Sequence, residues 1–227
     1  MIPLRDARPA GRTPVVTAAL IVACVAVFAW ELAVLAADGD AGLERMVTAW
    51  GLDPAALASA FRRGAVPVQA LAGVITSTFL HAGWLHLGGN MLYLWIFGSR
   101  LEDRLGRVRF LLLYLLGAIA AAVGQTLVDP AAGPVIGASG AISGVLGAYL
   151  VLFPRARIQS LVFLGFFYQM LAVPAVIVLG LWFALQLVAG LALLADPSVT
   201  GGVAVFAHIG GFVGGLVAGF YVRLRAR

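Results

Sequence analysis

Residues Gly137–Gly144 read GASGAISG, a run of small residues between Pro134 and a long apolar stretch. Residues this small let two helix backbones approach closely. Ser139, near the start of the run, carries a hydroxyl able to attack a carbonyl carbon once a base takes its proton. The fold hinges on whether this stretch opens a membrane helix and on what meets it there.

The composition places it in a membrane. The chain has 227 residues, of which 62% are hydrophobic and 11% charged, and its mean hydropathy is +1.02. Soluble domains are about a quarter charged. The apolar runs are continuous over ~20 residues instead of alternating, which selects helices over a β-barrel. The 28 glycines suit helix packing in lipid. The net charge of +5 points to no nucleic-acid partner, because all 15 basic residues are arginine and they cluster at the ends of apolar runs. Cys24 stands alone inside an apolar run, so neither a disulfide nor a cysteine metal site is expected. The apolar run after the basic N-terminus is too long for a cleaved signal peptide.

Six spans are predicted, which makes the chain an all-α polytopic membrane protein. They cover about Pro14–Ala37, Leu80–Gly98, Phe110–Val128, Ser139–Pro154, a stretch within Leu171–Leu194, and Val203–Val222. The approach to the fifth, LVFLGFFYQM, is expected to lie along the interface. Residues 1–13 form a short tail, 14–224 the membrane domain and 225–227 its C-terminal end, with an external, partly interfacial connection over 38–79. If six spans alternate, twelve arginines fall on one side and Arg45, Arg62 and Arg63 on the other. The positive-inside rule then puts both termini in the cytoplasm. The expected location is the cell's inner (plasma) membrane, with lipid as a partner.

Polar side chains within spans usually face a cavity or one another. Here they are His81, His86 and Asn90 at the start of the second span, Ser139 and Ser143 in the fourth, Gln186 in the fifth and His208 in the sixth. Those of spans two, four and six start at one outer depth, which reads as a single site. Ser139, Ser143 and Gly147 share a helix face, and Gly140, Gly144 and Ala148 form an adjoining ridge. Gly211, Gly215 and Gly219 make two GxxxG steps one turn after His208, so spans four and six can pack closely enough for a Ser–His hydrogen bond. Neutral imidazole suits the role of base toward a serine hydroxyl. With no intramembrane carboxylate placed to orient His208, a dyad is expected. His86 and Asn90, four apart, can offer an imidazole and an amide N–H to an oxyanion, and the Ser139 backbone N–H a third.

With these residues in hand, the chain resembles a rhomboid intramembrane serine protease. The resemblance rests on four pieces in order: STFLHAGWLHLGGNMLYLWIFG, LEDRLGRVRFLLLYLLG, GASGAISGVLGAYLVLFPRAR and AHIGGFVGGLVAG. It implies that Ser139 is the nucleophile and His208 the general base, with His86 and Asn90 stabilising the oxyanion. Gly137, Gly140, His81, Ser143 and Gly211 are read as support for the site. The implied activity is cleavage of other proteins' transmembrane helices near the outer leaflet, without cofactor or metal. Trp182, Phe183 and Gln186 resemble a family pattern facing the second span and are candidate gate residues. Two features depart from some members: Ser143 stands where they carry a tyrosine, and their Trp-Arg pair in the first external loop is not evident.

The alternative within the family is a proteolytically inactive protein that binds membrane helices. A transporter is disfavoured because the polar groups stop at one level. No HExxH motif and no pair of intramembrane aspartates suggests another class of protease, and His81 with His86 lacks a third metal ligand.

Overall fold

A computed structural model of the chain describes residues 1–8, 10–64, 68–164, 167–196 and 204–225. Helix α1 (Val15–Trp50) is followed by α2 (Pro54–Arg63) and α3 (Val68–Thr76). Helices α4 (Trp84–Tyr93) and α5 (Ser99–Leu105) are joined by a π-helical turn, Leu94–Gly98. Next come α6 (Arg107–Val128), α7 (Ser139–Leu152), α8 (Ala175–Ala195) and α9 (Val205–Arg225).

Among the described residues, four helices are long and apolar enough to cross a membrane: α1, α6, α8 and α9. The chain is therefore a multi-pass membrane protein. A bent pair, Val68–Phe79 with Trp84–Leu105, counts as a further span if taken as one, although its halves meet at 88°. Helix α7 has only 14 residues. At 1.5 Å per residue it is roughly 21 Å long, short of a ~30 Å hydrocarbon core. Every residue from Gly140 to Tyr149 is buried, so it can be short without exposing backbone to lipid.

Several boundaries differ from the sequence reading. The second helix begins at Trp84 rather than Leu80 and runs past Gly98 to Leu105, because no breaker intervenes before Gly106 at φ +81°. Part of the expected external connection is helical: α1 kinks at Gly39, at φ +65°, and continues to Trp50. Gly39 is where the chain needs glycine's freedom in the left-handed region. The sixth span is described from Ala204, so its expected start at Val203 lies outside the described residues.

The all-α expectation missed a three-stranded antiparallel sheet, ordered β1 (Ile2–Asp6), β2 (Arg157–Leu164), β3 (Phe167–Pro174). Strands β2 and β3 cover the described residues of the LVFLGFFYQM region and its flanks. Aromatic and branched residues with no helical period favour a pleated, half-exposed ribbon. β1, inside the expected tail, adds to the edge of β2, pairing Ile2 with Leu161 and Asp6 with Ile158.

The core is built on α6, α7 and α9, and glycines set their spacing. A Cβ on Gly211 would run into the Gly140 carbonyl oxygen, and one on Gly215 into that of Gly144. A Cβ on Gly117 would lie 2.8 Å from the Ala141 carbonyl oxygen, and one on Gly124 2.8 Å from that of Phe206. Larger side chains at these points would force the helices apart.

Buried polar groups fix the helix ends. The Glu102 carboxylate accepts the N–H of Val16 at 2.9 Å, and the N–H and hydroxyl of Thr17 at 2.8 Å each. It thereby satisfies orphan donors at the start of α1. The Gln125 side-chain oxygen adds a bond at the start of α9, accepting at 3.1 Å the Ala207 N–H, which is shared with the Ala204 carbonyl. At the lower end of α7, the Tyr149 hydroxyl donates to Asp6 at 2.5 Å, which ties β1 to the bundle.

Glu102→Gln weakens three bonds at once and turns a charge-assisted cap into a neutral one. We expect a loss of about 2 kcal/mol, read as a lower midpoint of thermal unfolding in detergent. An unchanged midpoint would show that the cap contributes little.

Candidate active site

Ser139 is the first residue of α7, and the loop before it is held at several points. Leu52 and Val135 exchange backbone hydrogen bonds of 2.9 and 2.8 Å. The Gly137 N–H donates to the Ser77 carbonyl at 2.8 Å. Gly137 has φ +120°, which only glycine adopts readily, and a Cβ there would sit 2.6 Å from His86 Nε2. The position needs glycine for both reasons.

His208 lies in the first turns of α9, one turn before Gly211. Its Nε2 is 2.7 Å from Ser139 Oγ. Its Nδ1 is 2.9 Å from the side-chain oxygen of Gln186 on α8. An amide oxygen can only accept, so Nδ1 carries the proton and Nε2 is left to accept from the serine hydroxyl. The ring of Trp182, one turn before Gln186, lies at a 44° tilt to His208 with centroids 5.9 Å apart. Phe183 stacks on Phe212 at 4.3 Å. The three candidate gate residues thus each contact α9.

His86 has the complementary tautomer. Its Nδ1 accepts the Ala82 N–H at 3.3 Å, so Nε2 carries the proton, and Nε2 is the atom beside Gly137. Ser139 Oγ is also close to Gly137, 3.6 Å from where a Cβ would stand. The His86 N–H donor and the serine oxygen therefore border the same glycine. Asn90, one turn on, is buried, and its side-chain N–H₂ has no hydrogen-bond partner among the described residues. A buried donor without an acceptor is costly.

The supporting residues are placed as follows. Ser143 donates back to the Ser139 carbonyl at 2.6 Å, an internal helix bond that uses its one hydroxyl proton. Gly140 and Gly211 form the contact between α7 and α9. His81 lies in the link before α4, with Nδ1 donating to the Phe79 carbonyl at 3.1 Å and its ring 5.1 Å edge-on from His86. Among the described residues no group of three or more His, Cys, Asp or Glu side chains could hold a metal.

Sequence reasoning missed Glu31. This carboxylate is buried in α1 and accepts the His81 N–H at 3.1 and 3.2 Å, anchoring the link that leads to His86. The signal was available: an acidic residue inside a long apolar run needs a partner.

The rhomboid-domain model matches residues 69–225, which include Ser139, His208, His86, Asn90 and Gln186 but neither Glu31 nor Leu52. The chain belongs to the rhomboid family. It is 36% identical over 154 residues to the mitochondrial rhomboid protein 1 of Saccharomyces cerevisiae, covering 66% of this chain and 41% of that protein. It is 35% identical over 145 residues to the rhomboid protease GluP of Bacillus subtilis, covering 64% of this chain and 25% of that one. RHOMBOID-like protein 1 of Arabidopsis thaliana is 34% identical over 152 residues, or 67% of this chain and 34% of its own. The matched region thus spans less than half the length of each relative.

Gly215→Val would push α9 away from the Gly144 carbonyl and lengthen the Ser139–His208 contact. A displacement of about 1 Å at such a pair costs on the order of 100-fold in rate. We expect labelling by a fluorophosphonate to slow by that order. Gly180→Val, where nothing lies within 4 Å of the added Cβ, should label at the wild-type rate.

Proposed function

We propose that this rhomboid-family chain is an intramembrane serine endopeptidase that cuts transmembrane segments of other proteins with a Ser139–His208 dyad. The observation that carries the reading is the 2.7 Å contact between Ser139 Oγ and a His208 Nε2 left free to accept. Family membership supports protease activity in general, and the relatives include a rhomboid protease.

In the proposed reaction His208 Nε2 takes the Ser139 proton as Oγ bonds to the scissile carbonyl carbon. Negative charge moves to the carbonyl oxygen, where the His86 Nε2–H, the Asn90 amide and the Ser139 backbone N–H are the proposed donors. The C–N bond then breaks, and the amine leaves with the proton from His208. Water attacks the ester with His208 again as base, and Ser139 Oγ leaves with that proton. The Asn90 amide, without a partner among the described residues, favours this assignment, since an oxyanion would supply the acceptor.

We further read α4 and the short α7 as spans, giving a six-span bundle with both termini on the arginine-rich, cytoplasmic side. Ser139 then opens toward the other face of the cell membrane. A start at the head of a short, enclosed helix sets the site below the outer surface yet within reach of water. Substrate helices are proposed to enter beside α8.

The test is cleavage of a transmembrane reporter by the purified protein in liposomes. Ser139→Ala and His208→Ala should each lose cleavage by at least about 1,000-fold, while the wild type releases a new N-terminus. A helix-binding protein without activity would hold the reporter intact in all three. Comparing N-terminal peptides of wild-type and Ser139→Ala membranes would then identify the natural substrates.

A further inference from the structure

A glutamine in the middle of an apolar helix requires a cause. Gln186 lies on α8, whose neighbours in sequence are almost all aliphatic. A polar amide there is unfavourable without a hydrogen-bond partner, and its side-chain oxygen bonds His208 Nδ1 at 2.9 Å. No other hydrogen bond to that nitrogen forms among the described residues. Trp182, at i−4 on the same face, meets the flank of the same imidazole. One face of α8 thus supplies an acceptor for one ring nitrogen and an aromatic surface for the ring itself.

We propose that Gln186 is a positioning residue for the general base. Its amide oxygen holds the proton on His208 Nδ1, so that Nε2 faces Ser139 as an acceptor. The inference rests on the dyad reading and adds to it a neutral third member, carried by a separate helix. Neutral imidazole has one N–H, and without an acceptor at Nδ1 the two tautomers compete. The wrong one points an N–H at the serine oxygen and cannot take its proton. The fixed ring orientation also keeps Nε2 at 2.7 Å from the hydroxyl.

The arrangement has a consequence for α8. In its most apolar stretch only 17% of the residues are buried, against 39% for α9 and 44% for α6. Its inner face reaches α9 through Trp182, Phe183 and Gln186. When α8 is seated on α9 the base is held in its working tautomer. Displacement of α8, to admit a substrate helix for example, removes the acceptor, and reseating restores it. Cleavage is thereby linked to closure after entry.

Two substitutions separate this role from packing. Gln186→Met keeps the length and apolar contacts of the side chain but has no amide oxygen, whereas Gln186→Glu keeps an acceptor at the same reach. The chain has three histidines, so ¹⁵N-histidine labelling in bilayers resolves few rings, and His208→Ala identifies the signals of His208. We expect the Nδ1–H tautomer in the wild type and in Gln186→Glu, and a mixture in Gln186→Met. Fluorophosphonate labelling of Ser139 should slow roughly 10- to 100-fold in Gln186→Met, with Gln186→Glu recovering most of the rate. A Gln186→Met protein with wild-type rate and tautomer would overturn the proposal. So would equal slowing of both variants with the His208 tautomer unchanged, which is the pattern of a packing residue. The dyad itself fails by a different result: labelling that persists in Ser139→Ala.

Discussion

The close backbone contact between α7 and α9 is the constraint on which the rest of the structure depends. Gly140 and Gly144 present carbonyl oxygens where Gly211 and Gly215 present bare α-carbons, and no side chain fits between them. In lipid no hydrophobic effect draws helices together, so this fit must hold them through dispersion and weak polar contacts. It also sets the distance between the first residue of α7 and the first turns of α9. Ser139 and His208 meet because the helices below them cannot separate.

That contact fixes one dimension only, and buried polar groups fix the others. Glu102 holds the start of α1, Gln125 the start of α9, and Asp6 the lower end of α7 through Tyr149. Glu31 holds the link that carries His81 toward His86. Each joins residues distant in sequence, from 50 positions for Glu31 and His81 to 143 for Asp6 and Tyr149. All four of these side chains are buried, so little water is at hand to replace the bonds. They position the framework, and the glycine contact positions Ser139 against His208.

Much of this was legible in the sequence, for identifiable reasons. The helices at Val15, Arg107, Ser139, Ala175 and Val205 follow from continuous apolar runs and their breakers. The spacing of Gly211, Gly215 and Gly219 follows from helical period. The meeting of His208 with Ser139 could be argued because both lie one turn or less from those ridges. The β-ribbon was not legible, since a short apolar run with aromatic residues reads equally as an interfacial segment. Gln186 was noticed as a polar residue out of place and grouped with a gate. Its contact with Nδ1 depends on the rotation of α8 about its axis, which an almost uniformly apolar helix does not reveal. The partners of Glu31 and Glu102 were hidden for a similar reason, because pairing across 50 or more residues leaves no local pattern.

Two histidines in opposite tautomers stand near the serine, and in the proposed reaction one accepts its proton while the other donates a hydrogen bond. Their difference is imposed by neutral groups, an amide oxygen and a backbone N–H. The most direct test of this arrangement is to locate a fluorophosphonate adduct by peptide mass mapping of the wild type and of His208→Ala. The account predicts a single adduct on Ser139 in the wild type and none in His208→Ala. An adduct on another serine, or one on Ser139 that forms at the same rate without His208, would contradict it.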